Sequence, residues 1–432
     1  MKKILTLCIV ALCCQNPSAQ AQITRQELRE NIELASSNYC DYPLPTVTLT
    51  AAPEGYEPFY VSHYGRHGAR YMTEHKSYER LIAKLDTAQM QGFLSTKGQD
   101  VLRRLRIAGA DAQDRDGDLT PLGGRQHQGI AERMFHNFPE LFSKPLSIRA
   151  KSSTVRRCMI SMANFCMQLK SLNPSLDIDM QANQKDMWYV VSNDSISISH
   201  PETEKAVYEK LAAFRSKKMT GKHQMEILFT DAEKAARLID GSQLEDMLYN
   251  ISQDMYCVPE LGVRFGDVFT ADELIDCFEV NNASWATWEG LIPGTASVYH
   301  AHLGLLRDIL NRADKAIQTE TCGADLRFGH DSVVLPLAYM LQLREATGCT
   351  DDYDHLLEHF SLNRAIPMAG NIQLIFYRKS GSQDVLVKFL MNERETTIPV
   401  QTDCAPYYHW TDVRAFYQKF LDQNVVTYKT PK

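Results

Sequence analysis

The run Pro58-Phe59-Tyr60-Val61-Ser62-His63-Tyr64 leads almost directly into Arg66-His67-Gly68-Ala69-Arg70. Aromatic and β-branched residues of this kind read as a buried strand, so the basic string sits at a strand's C-terminal end. Open α/β sheets bind their ligands at that end. The string sets a histidine between two arginines, with a glycine that lets the backbone approach closely. Guanidinium forks match phosphate oxygens. A histidine that is neutral at one ring nitrogen can attack phosphorus. By composition alone the same five residues describe a solvated basic loop. Their place after a strand favours a phosphate-ester site.

The segments that follow keep to an α/β pattern. Helical stretches are expected at residues 24–36 and 74–110, the latter with Leu81, Ile82, Leu85 and Ala88 at helical spacing. Thr120 and Pro121 read as N-cap and first turn of a helix running to about Phe138. A strand over 146–151 and a helix over 154–170 come next. Residues 185–295 differ: they are rich in Lys, Glu, Ala and Leu, with helical patterns near 203–216, 224–240, 243–254 and 271–280. Alternation then resumes, with helices at 296–317, 332–347 and 412–422 and strands at 326–328, 372–377 and 385–391. The expected organisation is an α/β core, residues 22–184 and 296–432, interrupted by a helical cap, residues 185–295.

The chain begins Met1-Lys2-Lys3, continues with an apolar run from Ile4 to Cys14, and reaches Ala19-Gln20-Ala21. This is the pattern of a cleaved secretory leader spanning residues 1–21. It implies export, to a periplasm or to the medium. A lipoprotein is the alternative, since Cys13 and Cys14 end the run, but Leu12 stands where such a signal has a small residue. The run is too short to span a bilayer, and no later stretch is long enough. Net charge is −7, and losing Lys2 and Lys3 makes the remainder more acidic. Nucleic acid is therefore not an expected partner. Any polyanion must be met by cations gathered locally. Eight cysteines follow the leader; an even count in an exported chain permits disulfides. There is no Cys-x-x-Cys and no clustered histidine partner, so no metal site and no cofactor is expected.

A second constellation, Phe328-Gly329-His330-Asp331-Ser332, lies between a short strand and a helix. His330 can donate to a phosphate oxygen, and a protonated Asp331 can supply the proton that an alkoxide leaving group needs. A helix N-cap at Asp331 or Ser332 is the structural alternative. A third segment opens the helix near Arg156 and Arg157, with Ser161 and Phe165 beyond.

These strings resemble the signature of the histidine phosphatase superfamily, in its acid phosphatase and phytase branch. The usual form there is Arg-His-Gly-x-Arg-x-Pro; here Met72 replaces the proline. The Leu119-Thr120-Pro121-Leu122-Gly123 turn with Gln126 is similar to the family's usual Leu-Thr-x-x-Gly turn, while the strand Val387 to Glu393 and Phe328-Gly329-His330 followed by Leu335-Pro336-Leu337 are similar to the multiple inositol polyphosphate phosphatases. That subgroup typically reads His-Ala-Glu where this chain has His330-Asp331-Ser332, so Asp331 follows the phytase pattern. The resemblance implies an α/β/α sandwich core and a covalent phosphohistidine route. In it His67 is the nucleophile, Asp331 the proton donor, and Arg66, Arg70 and His330 bind phosphate. Arg157 fits the spacing of a third phosphate arginine, with Arg156 its rival. Lys76 resembles a substrate-contacting lysine of fungal phytases. Inositol polyphosphates such as phytate are the implied substrates. A broad-specificity acid phosphatase, a phosphoglycerate-mutase-like phosphotransferase and a non-catalytic phosphate-binding protein are the alternatives. Oligomeric state is not legible.

Overall fold

A computed structural model describes residues 22–429. The expected leader lies outside them. No helix among the described residues is long and apolar enough to cross a membrane.

The organising element is an eight-stranded sheet. Its strands are β1 (Tyr56–Arg66), β2 (Ser147–Ser152), β3 (Asp177–Ala182), β5 (Gly323–Gly329), β6 (Asn371–Lys379), β7 (Val385–Met391), β8 (Arg394–Glu395) and β9 (Tyr407–His409). The two remaining strands, β4 (Ile196–Ser197) and β10 (Thr427–Tyr428), pair only with each other. The order is β3-β2-β5-β1-β6-β7-β8, with β9 also on β7. From β3 to β1 the strands run parallel, and from β1 onward they alternate in direction.

Both faces are covered, as the pattern along β6 shows. Leu374 and Phe376 join one apolar cluster while Ile375 and Tyr377 join another, the two-residue period of a strand buried on both sides. Helices Pro121–Asn137 and Arg156–Leu172 cover one face through Ile130, Met134, Phe165 and Leu169. Helices Leu303–Gln318, Asp331–Met340 and Trp410–Gln423 cover the other. This is the expected α/β/α sandwich.

Five expected helices are shorter than the apolar spacing implied. The 24–36 segment is α-helical only over Arg25–Glu30 and continues as 3₁₀ turns, and the 332–347 helix ends at Met340. The 74–110 segment is two helices, Lys76–Met90 and Thr96–Ala112. Gly92, at φ 76°, and the N-cap Ser95, whose side chain accepts from Gly98 N–H, break it. Residues 224–240 likewise divide, where Asp231 caps Ala232–Leu238. The 296–317 helix begins as a 3₁₀ turn, Val298–His302, before Leu303–Gln318. β3 gave no sequence signal because it is an edge strand of mostly exposed residues. All eight described cysteines are free thiols, six of them buried. The disulfides that their even number permits are absent here, and the thiols serve as small apolar side chains.

One polar network lies inside the sandwich. Arg327 on β5 is fully buried. It donates through Nε and Nη2 to Asp308 Oδ2 at 3.0 and 2.6 Å and through Nη1 to Ser62 Oγ at 3.1 Å. Burial works against ionisation of Asp308, but Arg327 and Arg149 outweigh it and hold the carboxyl below its usual range. This contribution is present at neutral pH and is lost as pH falls through the depressed value. Asp308→Asn leaves a buried guanidinium uncompensated. The expected cost is about 3–5 kcal/mol, read as a lower urea midpoint; a change below about 1 kcal/mol would show that Arg327 finds other partners.

Candidate active site

Three parallel strands end at one edge of the sheet. Arg66 of β1 pairs with Gly329 of β5, and Ser152 of β2 pairs with Phe328. The residues that step off these ends, His67, Ser153 and His330, therefore emerge together. His67 N–H donates to Gly329 O at 2.9 Å and Ser153 N–H to Phe328 O at 2.9 Å.

The loop after β1 is pinned along its length. Gly68 N–H donates to Ser161 Oγ at 3.1 Å and Ala69 N–H to Gln126 Oε1 at 2.8 Å. Thr120 N–H reaches Ala69 O at 2.9 Å, Tyr71 N–H reaches Asp118 O at 3.0 Å, and Gly117 N–H reaches Met72 O at 2.7 Å. This strand-like pairing fixes a loop that lacks the usual proline at Met72. Gly68 has a steric reason. A Cβ there would fall 2.4 Å from Gly123 O, and a Cβ on Gly123 would fall 2.3 Å from Ala69 O. The two glycines let the loop lie directly on the first turn of helix Pro121–Asn137.

His67 is buried, with Nδ1 2.8 Å from Gly68 O. A carbonyl only accepts, so the proton is on Nδ1 and Nε2 keeps its lone pair. Burial, then Arg66, Arg157 and Arg70, push the imidazole well below its usual pKa. The ring is neutral at physiological pH. His330 faces it edge-on, with ring centroids 5.9 Å apart. Its Nε2 lies 3.1 Å from Ser153 Oγ, and burial and Arg157 lower its pKa to about 4.

The arginines are held differently. Arg66 is fully buried; Nη1 donates to the carbonyls of Asn38 and Ile366, and Nη2 lies 2.7 Å from Asp331 Oδ2. Arg70 Nη2 donates to Tyr39 Oη at 2.9 Å. Arg157 reaches under Gly117, where a Cβ would sit 3.0 Å from its Nη1. The Nε donors of all three are buried without a protein acceptor, a supply of N–H groups suited to anionic oxygens. Arg156 points away, paired with Asp118 at 3.0 Å and largely exposed. Arg157, not Arg156, thus stands with His67.

Asp331 accepts from Asn38 Nδ2 at 3.2 Å and, through Oδ1, from Ser332 N–H at 3.0 Å. Burial disfavours its charge, but Arg66, Arg70 and His330 prevail and hold it below the usual carboxylate range. It is the first residue of helix Asp331–Met340, whose N-cap is His330. Nearby, half-buried Glu289 ends helix Ala271–Trp288. Burial and the Asp331 charge push it up to about 8. Asn38, Tyr39 and Glu289 carried no sequence signal; each arrives through tertiary packing.

A cavity of about 250 Å³ adjoins Asn38, Tyr39 and Arg70, with Arg215, Asp246 and Trp288 on its far wall. A larger one, about 710 Å³, opens beside Gly55 and Lys379, at the opposite end of the sheet and away from His67. Lys76 is exposed at the start of its helix, in a hollow with Glu74, Glu79, Asp114 and Asp116. His63 is an inward-facing core residue packed on Phe165 and Phe328.

The arrangement can present a neutral imidazole nitrogen to a phosphoryl group whose oxygens meet guanidinium donors, with a carboxyl beside it. Comparison with known proteins agrees. Residues 65–392 match the family model of the histidine phosphatase superfamily, branch 2. Multiple inositol polyphosphate phosphatase 1 of Gallus gallus is 21% identical over 401 residues, 87% of this chain and 85% of that protein. The Bifidobacterium longum multiple inositol polyphosphate phosphatase, solved with inositol hexasulfate, superposes with a TM-score of 0.73 at 19% identity, covering 89% of this chain and 97% of that one. The phytase from D. castellii gives 0.63 at 12%, covering 94% and 91%. The chain belongs to the histidine phosphatase superfamily, branch 2, as a histidine-type phosphomonoester hydrolase.

Proposed function

We propose that the protein is an exported phosphatase that hydrolyses inositol polyphosphates such as phytate through a phosphohistidine. The observation that carries the chemistry is the His67 ring, locked by Gly68 O with Nε2 free among three guanidinium groups. In this reading residues 22–184 and 296–432 form the catalytic core and 185–295 a cap. Export is supported by the leader pattern, and the substrate class by the printed names of the Gallus gallus and Bifidobacterium longum proteins.

The phosphoryl oxygens bind Arg66, Arg70, Arg157 and His330, which stabilise the charge that spreads over them at the transition state. His67 Nε2 forms a bond to phosphorus as the ester P–O bond breaks, and Asp331 gives the leaving oxygen a proton. Asp331 is ionised in the free protein. A bound phosphate offsets the guanidinium field that keeps it so, which lets a proton reside there once substrate is present. Water then attacks the phosphohistidine, with Asp331 as base and His67 as leaving group. Lys76 is a weaker candidate for contact with a second phosphate, given its acidic neighbours. The carboxyl of Asp246 near the cleft, joined by that of Glu289 only above about pH 8, favours the second reading, a broad-specificity acid phosphatase.

His67→Ala is expected to abolish turnover while the protein stays folded. Wild type quenched in alkali, where a phosphohistidine survives, should carry phosphate on His67. Residual activity within about tenfold would rule out a covalent role.

Asp331→Asn is expected to slow inositol phosphates far more than p-nitrophenyl phosphate, whose leaving group needs little protonation. Equal losses on both would remove Asp331 as the acid.

Glu289 is neutral below about pH 8 and anionic above it. The kcat/KM for phytate should therefore fall above that pH more steeply than for a simple monophosphate, and Glu289→Gln should erase the difference. Strong preference for the monophosphate at every pH would replace the inositol polyphosphate reading with the broad acid phosphatase.

A further inference from the structure

At the end of the sheet opposite the phosphate loop, three chemically different donor groups meet. His409 closes β9, Asp403 and Cys404 lie in the loop before it, and Asp384 precedes β7. His409 Nε2 is 3.0 Å from Asp403 Oδ1 and 4.0 Å from Cys404 Sγ. His409 Nδ1 is 2.9 Å from Asp384 Oδ1, and Asp384 Oδ2 accepts from Tyr56 Oη at 2.7 Å. Tyr56 begins β1, whose other end is Arg66. A strand of that length puts the cluster on the order of 30 Å from the catalytic loop.

Both ring nitrogens of His409 face carboxylates, Nδ1 that of Asp384 and Nε2 that of Asp403. An ionised carboxylate accepts only, so Asp384 holds the Nδ1 proton, and Tyr56 holds Asp384. The ring is thereby oriented with Nε2 toward Asp403 and Cys404. Carboxylates stand behind metal-bound histidines in this way, fixing tautomer and direction. The three donor atoms lie within 4.8 Å of one another. Tetrahedral bonds of zinc length place such donors about 3.3–3.6 Å apart; the His409–Asp403 and His409–Cys404 pairs, at 3.0 and 4.0 Å, each lie within about half an ångström of that spacing. Sulfur, imidazole and carboxylate together suit zinc, whereas calcium and magnesium take oxygen. Asp403 is exposed, which leaves a fourth position to water.

We propose that Asp403, Cys404 and His409 bind one zinc-class divalent cation, with Asp384 as the positioning residue for His409. The ion displaces the Cys404 thiol proton and any proton on Nε2 to solvent. It ties the loop before β9 to the edge of the sheet and takes no part in phosphate chemistry.

The test uses the purified chain, stripped with a chelator and titrated with Co²⁺ and then Zn²⁺. One equivalent of Co²⁺ should bind with a near-ultraviolet thiolate-to-metal band, Zn²⁺ should displace it, and the unfolding midpoint should rise with zinc. Cys404→Ser should lose the band and keep phosphatase turnover. Asp384→Asn should weaken affinity by about 10–100-fold. Cys322→Ser, which alters the exposed thiol, should keep the band. Sub-stoichiometric binding, binding without a thiolate band, or a band that survives in Cys404→Ser would overturn the proposal. The cluster would then be an ion pair of His409 with two aspartates. Should Cys404→Ser fail to fold, the wild-type stoichiometry and band still decide.

Discussion

A guanidinium with no access to water has to be balanced by protein groups or by a bound anion, and Arg66 imposes that requirement on the molecule. Its donors reach the carbonyls of Asn38 and Ile366 and the carboxylate of Asp331. Those partners come from the N-terminal segment, the stretch before β6 and the helix after β5. Satisfying one side chain therefore draws remote parts of the chain to a single point. The same contact keeps Asp331 ionised and helps keep His67 neutral. Burial is the first cause of the nucleophile's neutrality, and the Arg66 charge that dominates the positive field adds to it.

The parallel half of the sheet turns this electrostatic core into a site. Because β1, β2 and β5 end in register, short loops suffice to place His67, Ser153 and His330 together. The Gly68–Gly123 contact then sets the height of the loop over its supporting helix. Chemistry at this edge depends on backbone geometry as much as on side-chain identity.

Much of this was legible in the sequence where the signal is local. The strand before Arg66, the Thr120 cap and the turn at His330 are short-range patterns, and each lies where its residues indicated. Arg157 could be told from Arg156 only through three-dimensional neighbours: Gly117 leaves room for one guanidinium, while Asp118 draws the other outward. Asn38 and Glu289 were invisible because nothing near them in sequence marks their destination. The double helix at residues 76–112 was missed because apolar spacing continues across Gly92 and Ser95, where only cap chemistry records the break. β3 lacks the alternation that identifies a half-buried strand.

The helical block between β4 and β5 shares one apolar cluster with helices Lys76–Met90 and Thr96–Ala112, which belong to the earlier chain segment. Leu81, Leu105, Leu228 and Leu248 are all buried within it. A helical block that owned its core could be exchanged like a cassette. This one shares its interior with the 76–112 hairpin, so a change of side-chain volume on either side is felt by the other. Grafting the block into another protein would carry half a core with it.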